Sequence, residues 1–290
     1  MAILINETTQ TIVQGITGAN AAVHTKLMLE YGTKIAGGVT PGKGGQKVHD
    51  VPVYDTVSDC VGEHPGAAVS SVWVPARFAK DAVLEAIDAG LKIVILITER
   101  IPIHDMLAIR KQALAHGVVV IGGNTPGVIS PGACLVGMLP RVAFKPGRIG
   151  TVARSGAITY YIANTLNLAG LGESTSVGLG GDPILGSNFE RILKMFEEDQ
   201  GTDAVVMAGE IGGVYEELAA PYVKTMKKPV VAFIAGKHAP QGKRLGHAGA
   251  IIEGNMGTAE TKIEALRSAG AVVSDTLKDI PELIKKAVKV

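Results

Sequence analysis

The run KRLGHAGAII (Lys243–Ile252) carries one histidine, His247, among glycines and alanines. No His-x-x-x-His pair accompanies it, so the spacing does not describe a metal site. Small neighbours leave the imidazole open to approach, which suits a nucleophile that is charged at one place and discharged at another. A second candidate is Glu210 in MAGEIGG (Met207–Gly213), at the end of an apolar run. A carboxylate there can accept one imidazole N–H and leave the other ring nitrogen free. A third is ARSGAITYY (Ala153–Tyr161), where Ser155 and Gly156 open a helical pattern; free amides at a helix start favour an anion. The G-x-S-x-G pattern of a nucleophile elbow is absent. Each also has an ordinary reading: a solvated loop histidine, a helix-capping acid, a plain N-cap.

Two glycine turns lie near the start. VQGITGAN (Val13–Asn20) follows an apolar run but is not the G-x-G-x-x-G fingerprint. The next run ends in GGVTPGKGG (Gly37–Gly45) rather than in the acid that would bind a ribose hydroxyl, which argues against a nicotinamide cofactor. Lys43, held between glycines, reads either as a phosphate contact or as a solvated lysine on a turn.

The elements that must position these residues alternate. Apolar runs at Thr11–Gly15, Lys34–Val39, Ala68–Val74, Lys92–Thr98 and Val118–Gly122 read as strands, and Ala79–Gly90 has helical spacing. That alternation predicts a doubly wound parallel sheet. A Gly/Pro-rich segment from Gly122 to Gly147 reads as the crossing between domains. A second alternating series follows, predicting a second α/β sheet, with chemistry expected at the strands' carboxyl ends.

Composition narrows the classes. At 290 residues, two domains are expected. A net charge of +1 without a basic stripe argues against nucleic acid as the main partner. No run of ~18 apolar residues occurs, so no membrane span is expected. Cys60 and Cys134 fit no metal spacing and read as reduced thiols. The start MAILINETTQ has no signal-peptide pattern, and a cytoplasmic protein is expected.

Eight runs occur in one order over residues 3–288: GITG, GGVTPGKGG, AIDAGLKIVILITE, NTPGVISPG, RSGAITY, GLGGDPILGSNF, GEIGG and GKRLGHAGAII. Together they resemble the alpha subunit of succinate–CoA ligase (succinyl-CoA synthetase). The resemblance implies an N-terminal Rossmann-like CoA-binding domain (1–122), a linker (123–147) and a C-terminal flavodoxin-like parallel-sheet ligase domain (148–290). It implies that Thr17, Gly18, Ala19, Asn20 and Lys43 meet coenzyme A, with Ile97, Thr98 and Glu99 beside it. His247 would carry a phosphoryl group, Glu210 would hold that histidine, Ser155, Gly156 and Ala157 would receive the phosphate, and Tyr160 would lie near the acid. The implied reaction is acid + CoA + NTP ⇌ acyl-CoA + NDP + phosphate. A beta subunit with a nucleotide-binding domain would bind ATP or GTP with Mg²⁺, in a heterodimer or heterotetramer. Succinate is the implied acid, with malate or citrate, or a non-catalytic CoA-binding role, as alternatives. The chain departs from the family's usual SRSGTLTYE at Ala153 and Tyr161, and places Arg100 where glycine or histidine is more familiar.

Overall fold

The computed structural model describes residues 2–237, 246–252 and 257–288. Its first half runs β1 (Gln10–Gln14), α1 (Ala19–Tyr31), β2 (Lys34–Val39), β3 (Lys47–Val48), β4 (Val51–Tyr54), α2 (Val57–Glu63), β5 (Ala67–Val72), α3 (Ala76–Asp88), β6 (Ile93–Leu96), α4 (Ile103–Ala115) and β7 (Val119–Gly122). The sheet order is β3-β4-β2-β1-β5-β6-β7. Only β3 is antiparallel to its neighbour. Counted in chain order, the six parallel strands lie 3-2-1-4-5-6, the Rossmann order.

The second half runs β8 (Gly127–Ser130), β9 (Cys134–Gly137), a 3-10 turn (Arg141–Ala143), β10 (Pro146–Ala153), α5 (Gly156–Leu168), β11 (Glu173–Gly178), α6 (Phe189–Glu198), β12 (Ala204–Glu210), α7 (Tyr215–Val223), β13 (Val230–Ala235), α8 (Ala259–Ser268), β14 (Val272–Ser274) and α9 (Ile280–Val288). The order β14-β13-β12-β10-β11-β8-β9 contains five parallel strands in flavodoxin order, 2-1-3-4-5. β11 and β12 are buried along their whole length, as strands covered on both faces are. Helices cover the faces through regular apolar stripes: Phe189, Ile192, Leu193 and Phe196 form the buried side of α6.

Residues 123–147, expected as a linker, are instead part of the second sheet. β8 and β9 form a hairpin that pairs antiparallel with β11. The glycines that imitate a linker serve close packing. A Cβ on Gly127 would strike the Val136 carbonyl, one on Gly137 the Pro126 carbonyl, and Gly132 makes the hairpin turn at φ +79°.

The hairpin also joins the two halves. The Thr33 hydroxyl, just after α1, donates to Leu135 O at 2.7 Å and accepts from Leu135 N–H at 3.1 Å. Near the chain start, Ile3 N–H donates to Thr175 Oγ1 and Ser130 Oγ donates to Ile5 O. One apolar cluster runs from Val13, Ile16 and Met28 through Leu135 to Val152 and Phe189, so the two sheets share a core.

Candidate active site

The carboxyl ends of β1, β2 and β5 open into a cavity of 740 Å³. It lies at the point where strand order reverses, the expected ligand position in such a sheet. β1 ends at Gly15, whose φ of +79° turns the chain under Val74. Thr17 and Gly18 line the cavity, and the Thr17 hydroxyl donates to Thr40 Oγ1 at 3.2 Å. Gly18 caps α1 with no side-chain hydrogen bond, which leaves the amides of Ala19 and Asn20 without intrahelical acceptors. An anion fits that end of the helix. Lys43 is exposed on the turn that carries Thr40 and Pro41 into the cavity wall; its N–H donates to Thr40 O at 3.0 Å.

Ile97, Thr98 and Glu99 stand behind this wall rather than in it. Ile97 is buried, the Thr98 hydroxyl donates to Val74 O at 2.6 Å, and Glu99 is exposed beside Arg100. Sequence reasoning missed the floor. Gln14 Nε2 donates to Ala82 O at 3.0 Å while its Oε1 accepts from Ser70 Oγ at 2.7 Å. It also missed Trp73, which lines the cavity and stacks on His24 with ring centroids 5.1 Å apart.

The second centre lies where β10 and β12 diverge. Glu210 ends β12 and is buried; its Oε2 is 2.8 Å from His247 Nδ1. Arg154 follows β10 and is fully buried. Its Nη2 lies 3.4 Å from Glu210 Oε1, an ion pair by distance without hydrogen-bond alignment. The guanidinium donates to Gly180 O at 3.1 Å and Asp182 O at 3.2 Å. It thereby fixes the glycine turn under the imidazole, where a Cβ on Gly181 would sit 2.5 Å from the ring. The hydrogen bond that Nδ1–H donates to Glu210 raises the His247 pKa above the ordinary 6.5, against burial and the Arg154 charge, which lower it. Bound this way, Nδ1 carries the proton and Nε2 holds the lone pair.

α5 begins beside this centre, directly after Arg154. Ser155 is its N-cap, with Oγ accepting from Ile158 N–H at 3.5 Å. Gly156 and Ala157 supply amides in the first turn. Tyr160 and Tyr161 are both exposed on this helix, whereas Ala153 is wholly buried in the core beneath it with Ile162 and Ile284. Ala153 therefore fills an apolar layer.

Asp182 joins the two centres. Its carboxylate accepts from Arg100 N–H and Ile101 N–H, each at 3.4 Å, and burial pushes its pKa up. Arg100 adopts φ +59° to present that amide, which explains why glycine suits the position.

The CoA binding domain family matches residues 6–100 and the CoA-ligase family residues 152–272. Over 289 residues the chain is 54% identical to succinate–CoA ligase [ADP-forming] subunit alpha 1 of Archaeoglobus fulgidus, covering 100% of this chain and 99% of that one. The chain belongs to the succinate–CoA ligase alpha-subunit family. Its Staphylococcus aureus counterpart, also named ADP-forming, is 50% identical over 290 residues, covering 100% and 96%. Among solved structures, ATP citrate lyase from Methanosaeta concilii in complex with (3S)-citryl-CoA superimposes with a TM-score of 0.90 at 25% identity. The match takes in 99% of this chain and 50% of that longer one. Succinate–CoA ligase alpha subunits are thus acid–thiol ligase components built to work with a partner subunit, as their naming states. Within that frame, Arg154 and Asp182 act on the histidine and Glu216 and Lys262 bond the Glu210 backbone; sequence reasoning singled out none of the four. RSG and GGDP were legible as motifs, but nothing in their spacing says that the arginine is buried.

Proposed function

We propose that this chain carries the phosphoryl relay of an ADP-forming succinate–CoA ligase, with His247 as nucleophile. The observation that supports it is the 2.8 Å contact between His247 Nδ1 and the buried Glu210 carboxylate, which leaves Nε2 unprotonated and basic. The Nε2 lone pair attacks the γ-phosphorus of the nucleotide; the N–P bond forms as the bond to the β–γ bridging oxygen breaks, and ADP leaves. A succinate carboxylate oxygen then attacks the same phosphorus, the N–P bond breaks, and succinyl phosphate forms. The CoA sulfur, as thiolate, attacks the acyl carbon and phosphate departs, giving succinyl-CoA. Each step replaces one difficult exchange by an easier one.

The names of the relatives specify ADP, which favours ATP over GTP here. CoA is assigned to the first cavity, with its phosphates at Thr17–Asn20 and Lys43. Phosphate in transfer is assigned to Ser155, Gly156 and Ala157, where helix-start amides offset its charge, and Tyr160 is assigned to the acid. A beta subunit supplies the nucleotide-binding domain. Mg²⁺ is assigned to that partner with the nucleotide, whose phosphates it accompanies. Among the described residues no helix is long and apolar enough to cross a membrane. The buried, unpaired thiols of Cys60 and Cys134 suit a reducing cytoplasm.

The test combines the chain with its beta partner, Mg²⁺ and γ-labelled ATP. Acid-labile, base-stable label is expected on His247 and discharges on addition of succinate. Label that persists in His247→Asn overturns the relay. A panel of succinate, malate and citrate decides the acid.

A further inference from the structure

Behind the histidine centre lies an ion pair with no part in the relay as drawn. Lys262 on α8 and Glu216 on α7 are both 0% exposed. Lys262 Nζ donates to Glu210 O at 2.7 Å, to Gly212 O at 2.8 Å and to Glu216 Oε2, which uses all three of its N–H bonds. The other carboxylate oxygen, Glu216 Oε1, accepts from Glu210 N–H at 3.1 Å. The pair therefore grips both backbone polar groups of one residue, and that residue is Glu210. Gly209 has no side chain where Glu216 crosses the strand; a Cβ there would strike the carboxylate. The turn so held packs against the histidine loop, since a Cβ on Gly212 would strike Gly249 O.

Stability is a weak reason for this arrangement. A fully buried ion pair is worth little against an apolar pair of the same shape, because two charges must be desolvated. What it supplies is a fixed backbone. β13 still pairs with β12 as far as Glu210–Ala235 and Ile211 N–H, but the β10 ladder ends at Ala153–Ala208; the Glu210 N–H and C=O are taken by Glu216 and Lys262 instead of by a strand.

We infer that Lys262 and Glu216 are positioning residues of the histidine centre: their buried ion pair clamps the Glu210 backbone and so sets the Glu210–His247 contact. The inference rests on the phosphohistidine reading for its kinetic consequence, but the contact itself can be read without nucleotide. The charged groups facing His247 among the described residues are Glu210 at the end of β12, Arg154 at the end of β10 and Asp182 after β11. Loosening the clamp lengthens the first of these contacts, which is the one that raises the imidazole pKa.

The experiment uses the full chain, alone for NMR titration of His247 and with its beta partner for labelling. In Lys262→Met the His247 midpoint is expected to fall towards 6.5, and His247 labelling to slow by on the order of 10- to 100-fold, the scale of a misplaced reacting group. Glu216→Gln keeps an acceptor oxygen for Glu210 N–H and is expected to move both readouts the same way by less. Ile284→Ala, on α9 across the sheet, is the control: it lowers Tm through a cavity and leaves the His247 midpoint unchanged. A folded Lys262→Met with the native midpoint and labelling rate and only a lower Tm overturns the inference. Should Lys262→Met not fold, Glu216→Gln decides it on the same two readouts. Wild-type protein that takes no label on His247 would sink the relay instead, while the titration still reports on the clamp.

Discussion

Glu210 fixes the tautomer of His247 and also makes the ring harder to deprotonate. The first effect helps attack by Nε2, and the second withholds the neutral ring at acid pH. His247 labelling is therefore expected to climb as pH rises through a midpoint above 6.5 and then to level off. In Glu210→Gln the midpoint should drop and the plateau fall by about 100-fold, because orientation is lost with the charge; a rapid-quench pH profile of both proteins checks this. The same contact has a stability consequence of opposite sense. The folded pKa lies above the unfolded one, so the pair's contribution is complete below pH 6.5 and disappears as pH rises through the folded value. The Tm difference between wild type and Glu210→Gln should shrink accordingly. At the thiols, burial pushes Cys60 up to about 12 and Cys134 up to about 11. Neither should react with iodoacetamide at neutral pH until the protein unfolds, as mass spectrometry would show.

Strand ends and turns set where these side chains meet. Gly181 is such a point: Gly181→Ala would push the His247 ring from its seat, so labelling should fall sharply while Tm changes little. Arg100 offers the reverse case. Its left-handed backbone costs about 1 kcal/mol in a non-glycine residue, and Arg100→Gly should raise Tm slightly without disturbing the amides on Asp182. Much of this scaffold was legible. The run Lys34–Val39 is β2 to the residue, and β1, β5, β6 and β7 lie within two residues of their apolar runs. Apolar strands closed by glycine announce themselves. The β3–β4 ribbon did not, because its turn uses His49 and Asp50 at positive φ, where glycine would have signalled it. The β8–β9 hairpin was hidden for the opposite reason, its glycines and prolines resembling a linker. His247 and Glu210 showed themselves as lone polar residues among small ones. Arg154 and Lys262 did not, since a cation in a sequence reads as surface and only the tertiary fold buries it.

At the scale of the molecule, the hairpin makes two α/β halves into one body. Val13 and Met28 of the first half and Val152 and Phe189 of the second belong to one apolar cluster, so urea unfolding should show one transition by both near- and far-UV signals. Thr33→Val removes both hydrogen bonds to Leu135 and leaves its amide and carbonyl buried, which should cost about 1–3 kcal/mol as a lower urea midpoint with the transition still single. The first cavity has a consequence of another kind. The chain has one tryptophan, and Trp73 stands in the cavity wall, stacked on His24 and anchored by its indole N–H to Ser71 Oγ. Burial lowers the His24 pKa, so the stacked ring stays neutral near pH 7 and its emission-quenching cation forms only under more acidic conditions. The protein thus carries a built-in fluorophore in the wall of its first cavity, and on the CoA assignment proposed above a change in its emission is expected when CoA is added, read without a dye.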